Sequence, residues 1–124
     1  MMAAPAPILV IEDEPAMRLL VQDYLEYLGY SVVGAPDGET ALSLALGQEF
    51  AMAFVDMNLP GISGHEVMRR LREQGNRTPM VVLSGNLRES YADKIADLAV
   101  SEVLEKPVDL TEIERVVLGI VGAA

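Results

Sequence analysis

Five short apolar runs, each followed by a stretch with helical periodicity, constrain this chain more than any other feature. They are Ile8–Ile11, Tyr30–Ala35, Ala51–Asp56, Pro79–Ser84 and a weaker one at Glu102–Glu105. A continuous apolar run of this length, flanked by amphipathic segments, marks a strand covered on both faces. Between the runs, apolar residues recur at three- and four-residue steps: Met17, Leu20, Tyr24, Leu25 and Leu28, then Ala41, Leu44 and Ala45, then Val67, Met68 and Leu71. Tyr91, Ile95 and Leu98 mark a fourth helix, and Ile113, Val116 and Val117 a last one. Terminus signals agree: Pro15 suits a first turn, Gly29 a helix end, and Asp37 an N-cap. Ser63-Gly64-His65-Glu66 and Asp109-Leu110-Thr111-Glu112 are capping boxes. Strands separated by helices run parallel with right-handed crossovers. The expectation is a doubly wound α/β fold of five strands and five helices.

At 124 residues there is room for one domain, and no repeat, linker or composition break divides it. Residues 8–121 read as that single domain, and the Ala/Pro-rich residues 1–7 as a disordered lead-in. The net charge of −10 disfavours direct binding to nucleic acid or to anionic membrane and favours a cation or a basic partner surface. With no cysteine, disulfides, thiolate metal sites and thiol chemistry are excluded. No membrane-spanning run and no secretory signal stand out, so a cytoplasmic location is expected.

In open parallel sheets, ligands bind beyond the carboxyl ends of the strands, where strand order reverses. Those ends carry Glu12 and Asp13 after the first strand, Asp56 at the end of the third, Ser84 at the end of the fourth and Lys106 after the fifth. Three carboxylates brought together repel one another unless a lysine or a bound cation relieves them. Oxygen-only donors with room for water describe Mg²⁺ better than zinc or a softer metal.

Glu12-Asp13, Asp56-Met57-Asn58-Leu59-Pro60-Gly61, Ser84-Gly85 and Lys106-Pro107, in this order and at these strand ends, resemble the receiver domains of response regulators in two-component phosphorelays. The resemblance spans Ile8 to about Leu118. It implies the flavodoxin-like fold with strand order 2-1-3-4-5. It also implies that Asp56 is the phosphoacceptor, taking a phosphoryl group from a phosphohistidine on a sensor histidine kinase or a phosphotransfer protein. Asp13, Asp56 and the Asn58 backbone carbonyl would hold Mg²⁺, with Glu12 acting through water. Lys106 would pair with Asp56 at rest and with a phosphoryl oxygen afterwards, while Ser84 donates its hydroxyl to another. Lys106-Pro107 matches the family's cis bond. Such a domain is not an enzyme in the ordinary sense; it promotes its own phosphorylation and dephosphorylation. Output would run through contact with a protein target, and a phosphorylation-dependent dimer is compatible with the family.

Several positions depart from the family pattern. Val103 stands where an aromatic switch residue is usual, Val108 where Phe is common, Ala99-Val100 where Gly-Ala is expected, and Gly85 where Ala is usual. Taken singly, each signal has a plain reading as a loop carboxylate, a turn or a surface dipeptide, and His65 reads as an exposed bystander. An aspartyl-nucleophile phosphatase needs an acid where Asn58 stands. A flavin carrier needs a phosphate loop where Glu12-Asp13-Glu14 would repel it. A degenerate receiver, binding partners without phosphorylation, remains the alternative. The chain ends soon after the last helix, so the expectation is either a stand-alone receiver or a piece of a larger regulator.

Overall fold

The computed structural model of the protein describes residues 5–85 and 95–124. Strands β1 (Ile8–Ile11), β2 (Val32–Ala35), β3 (Met52–Asp56), β4 (Met80–Ser84) and β5 (Glu102–Glu105) form one sheet, all parallel, in the order β2-β1-β3-β4-β5. Helices α1 (Pro15–Tyr27), α2 (Gly38–Gly47), α3 (Gly64–Glu73) and α4 (Leu110–Ile120) cover it.

Side-chain alternation along the central strands divides the interior into two layers. Leu9, Ile11, Ala53, Val55 and Val82 face α2 and α3, meeting Ala41, Ala45, Val67, Met68 and Leu71. Ile8, Val10, Met52, Phe54, Val81 and Leu83 face α1 and α4, meeting Val21, Leu25, Ile113, Val116 and Val117. Every residue of β1, β3 and β4 is buried, which is why these runs carry no alternation of polarity. At about 25 cal/mol per Å² of apolar surface, these two layers supply the main drive for folding.

Helix starts follow the expected chemistry. Pro15 opens α1, Asp37 accepts from Thr40 N, Ser63 Oγ accepts from Glu66 N, and Asp109 accepts from Thr111 N. Gly29 ends α1 at φ +103°, a conformation that costs glycine nothing.

The helix count differs from the sequence expectation: four α-helices stand among the described residues. Of the expected fourth helix, Tyr91 lies outside the described residues. Its end closes as a 3₁₀ turn over Ala96–Leu98, with Ile95 and Leu98 buried and Asp97 exposed. Ala99 terminates that turn at φ +54°, the left-handed region that favours glycine. Arg72 of α3 secures the turn, donating to Leu98 O at 2.7 Å and to Ala99 O at 3.4 Å. The same guanidinium reaches Asn76 O and Thr78 O ahead of β4. His65 is half-buried rather than exposed, because the first turn of α3 packs close to the sheet end.

Candidate functional site

Parallel registration brings the carboxyl ends of β1, β3, β4 and β5 to one edge. Asp56 ends β3 and is 2 % exposed; Glu12 directly follows β1 and is 1 % exposed; Ser84 ends β4, also buried. Asp13 and Asn58 are exposed, and Lys106 follows β5 with its side chain partly covered. Burial of the two carboxylates is tolerable because one ammonium serves both: Lys106 Nζ lies 3.0 Å from Asp56 Oδ2 and 3.1 Å from Glu12 Oε2. The other Asp56 oxygen, Oδ1, accepts the Asn58 backbone N–H at 3.0 Å.

Charge in this corner remains unbalanced. Burial and the adjacent Asp56 push the Glu12 carboxyl up to about 7, against the lowering pull of Lys106. Burial works to lower the Lys106 ammonium, yet its hydrogen bonds to Asp56 and Glu12 outweigh this and hold it above the usual lysine value. Glu12, Asp13 and Asp56 each present a carboxylate oxygen within 4.8 Å of the others. Three hard oxygen donors, two buried and one open to water, against a single ammonium are a donor set that suits a small divalent cation such as Mg²⁺.

The backbone around the site is tightly determined. Lys106 N donates to Ser84 O at 2.8 Å, and the Lys106-Pro107 bond is cis, as the resemblance implies. Met57 N donates to Leu83 O, which extends the β3–β4 pairing past Asp56. Gly64 is required by space: a Cβ there would lie 2.2 Å from Asp56 O.

The structure therefore gathers Glu12, Asp13, Asp56 and Lys106 into one cluster, with Ser84 buried on the neighbouring strand and Asn58 bonded to Asp56 through its backbone. Supporting residues that sequence reading passes over are Arg18 and Gly64. Arg18 of α1 donates to Glu12 O at 2.8 Å and fixes the turn that presents the acidic pair. The signal for Gly64 was its place eight residues after Asp56, inside a motif read only as a helix cap. A surface cavity of about 640 Å³ lies at the opposite, amino end of the strands, lined by Leu46, Phe50, Asn76 and Pro79 among others.

Such a fold, with an acidic cluster and a shared lysine at the sheet's carboxyl edge, defines a signalling receiver module. The family model described as "Response regulator receiver domain" matches residues 8–118. The chain belongs to this family, the receiver domains of two-component systems. Among curated relatives, it is 36% identical over 108 residues to the uncharacterized transcriptional regulatory protein YkoG of Bacillus subtilis, covering 86% of this chain and 46% of that protein. It is 35% identical over 103 residues to the sensor protein EvgS of Escherichia coli, covering 83% of this chain but 9% of that protein. The chain thus spans less than half the length of these relatives.

Solved structures agree in fold. The chemotaxis protein CheY4 of Vibrio cholerae superposes with a TM-score of 0.87 at 25% identity, over 95% of this chain and 100% of that one. The receiver domain of sensor histidine kinase PA1611 from Pseudomonas aeruginosa, with a magnesium ion coordinated in its active site cleft, gives 0.85 at 28% identity, over 97% and 100%. The response regulator TrrA of Thermotoga maritima, in complex with Mg²⁺-BeF, gives 0.82 at 28% identity, over 94% and 99%.

Proposed function

We propose that the protein is a phosphoacceptor receiver that takes a phosphoryl group onto Asp56 from a phosphohistidine donor in a Mg²⁺-dependent reaction. The observation that carries this reading is the pairing of a buried Asp56 with Lys106, beside two further carboxylates. A carboxylate that must act as nucleophile needs its charge kept and its orientation fixed. The Asn58 N–H on Oδ1 and the Lys106 ammonium on Oδ2 do both.

In the reaction an Asp56 carboxylate oxygen forms the new O–P bond as the P–N bond to the donor imidazole breaks; the P–N electron pair returns to the ring nitrogen, and the imidazole, protonated on its other nitrogen, leaves neutral. Phosphoryl transfer calls mainly for in-line placement and neutralisation of the equatorial oxygens. Asp13, Asp56 and the Asn58 carbonyl, with Glu12 acting through water, would hold Mg²⁺, and the ion would supply part of that neutralisation. Lys106 moves its hydrogen bond from the carboxylate to a phosphoryl oxygen, and the Ser84 hydroxyl serves another. The product is an acyl phosphate, so the domain turns over no separate substrate; it promotes its own phosphorylation and hydrolysis.

The partners under this reading are a sensor histidine kinase or phosphotransfer protein upstream and a protein target downstream. A cavity of about 540 Å³ running from Lys106 and Pro107 to Met17 and Leu20 offers apolar surface beside the site for a donor protein. Among the described residues no helix is long and apolar enough to cross a membrane.

The test is intact mass after incubation with acetyl phosphate and Mg²⁺, beside an Asp56→Asn control. Gain of one phosphoryl group, lost in the control and in EDTA, is expected. Absence of any gain would leave a phosphorylation-independent binding module as the better account.

A further inference from the structure

The loop that follows Asp56 carries Asn58 and must hold its shape against the crowded carboxylates. Its first residues are fixed from the strand side, by Asn58 N on Asp56 Oδ1 at 3.0 Å and by Gly64 N on Met57 O at 3.3 Å. Its far end is fixed by another element altogether. Glu39, in the first turn of α2, accepts the Ile62 backbone N–H on Oε1 at 3.2 Å. The same carboxylate stands over Gly61, which sits at φ +74°; a Cβ on Gly61 would lie 2.6 Å from Glu39 Oε1. Beside it, Gly38 lets the helix start seat on the loop, since a Cβ there would come within 2.6 Å of Ile62 Cγ1 and 2.8 Å of Ile62 O.

Glu39 is not needed to start its own helix. Asp37 already caps α2, accepting Thr40 N–H at 2.7 Å. The Glu39 side chain is therefore left to reach 23 residues along the chain, across to the neighbouring β–α loop. Leu59 and Ile62 rest against the apolar core, but without that tether the span Leu59, Pro60 and Gly61 is hydrogen-bonded only at its strand-side end, and such a loop gains conformers more readily.

We propose that Glu39 is a positioning residue, whose carboxylate over Gly61 and Ile62 holds the loop after Asp56 in the shape that lets Asn58 serve Mg²⁺. This rests on the phosphoacceptor reading for its functional consequence, but not for its structural content. Loss of one neutral-donor hydrogen bond to a carboxylate corresponds to roughly a five-fold change in an equilibrium.

The experiment compares the full chain with Glu39→Ala and Glu39→Gln, the latter keeping an oxygen acceptor. Amide exchange over residues 57–63 is followed without metal, Mg²⁺ affinity is measured by calorimetry, and labelling by acetyl phosphate is followed against Mg²⁺ concentration. Glu39→Ala is expected to speed exchange of the Ile62 amide and to weaken Mg²⁺ binding about five-fold, with the labelling rate at saturating Mg²⁺ kept. Glu39→Gln is expected to restore most of both. Wild-type exchange and wild-type Mg²⁺ affinity in Glu39→Ala would overturn the proposal, as would a Gln variant as impaired as Ala. If the wild-type chain binds Mg²⁺ but is not labelled, the phosphoacceptor reading fails while exchange and calorimetry still decide the role of Glu39. If it does not bind Mg²⁺ at all, the proposed role toward the metal is overturned.

Discussion

The Lys106 ammonium lies 3.1 and 3.2 Å from the two carboxylate oxygens of Glu12, within 0.2 Å of its 3.0 Å approach to Asp56. One cation is thus shared by two buried carboxyl groups, and the resting site is arranged for chemistry at a cost in stability.

Variants at this cluster should move stability in opposite directions. Asp56→Asn keeps an acceptor for the Asn58 N–H and removes one buried charge, so it should stabilise the metal-free protein by about 1 kcal/mol. Lys106→Met leaves two buried carboxylates without their counter-charge and should cost about 3 kcal/mol. Urea unfolding in EDTA measures both; equal effects of the same sign would contradict the shared-cation account.

Gly64→Ala should be costly, because Gly64 is buried against the end of β3. A Cβ there meets backbone, Asp56 O at 2.2 Å and Asp56 C at 3.0 Å, so no side-chain rotation can relieve it. A loss of about 2–3 kcal/mol is expected, together with slower labelling by acetyl phosphate, because the strain falls on the residue that reacts. Thermal unfolding and labelling kinetics check the two parts.

Ala99→Gly should be stabilising. Ala99 holds φ +54°, which burdens any residue with a Cβ, and its carbonyl serves Arg72 whatever the side chain. A gain of about 0.5–1 kcal/mol in unfolding free energy is expected, partly offset by the greater freedom of glycine in the unfolded chain. Unchanged or reduced stability would show that the turn is not strained.

Helix α3 should carry an acid-sensitive contribution. Hydrogen bonds from Arg69 and then Arg70 hold the Glu66 carboxyl down at about 2, below its ordinary 4.5. A carboxyl depressed in the folded state lends stability that is complete above the ordinary value and fades as pH falls through the folded one. Wild-type protein should therefore exceed Glu66→Gln in stability above pH 5, with the gap closing between about 4.5 and 2. Urea titrations across that range measure it.

The chemistry of the site could be read from the chain because topology does the sorting. Once five β–α units are recognised, Glu12, Asp13, Asp56, Ser84 and Lys106 must come to one sheet edge, and the strand order brings β1 between β2 and β3. Strand limits differ little from the periodicity, β2 being shorter at its start because the Tyr30 backbone N–H donates to Leu25 O at 3.0 Å and closes α1. What stayed hidden are close approaches between segments far apart in sequence. Glu39 meets Ile62 across 23 residues, and Arg72 meets Leu98 across 26. Periodicity reports only which face of a helix is apolar, so an exposed Glu on α2 and an Arg on α3 look like ordinary solvated charges. Of the expected fourth helix the described residues show only the end, helical at Ile95 and closing as a 3₁₀ turn over Ala96–Leu98; burial of Ile95 and Leu98 at a three-residue step does not distinguish the two.

Helix α3 begins with Gly64 hard against the Asp56 carbonyl and ends with Arg72 gripping Leu98 and Ala99. It is in effect a strut about 15 Å long, stiffened by its own backbone bonds, with one foot on the reactive strand and the other on the chain that leads into β5. Both feet rest on the same helix. The approach to Val103 is thereby linked to the end of β3 at Asp56 through the frame of the fold itself.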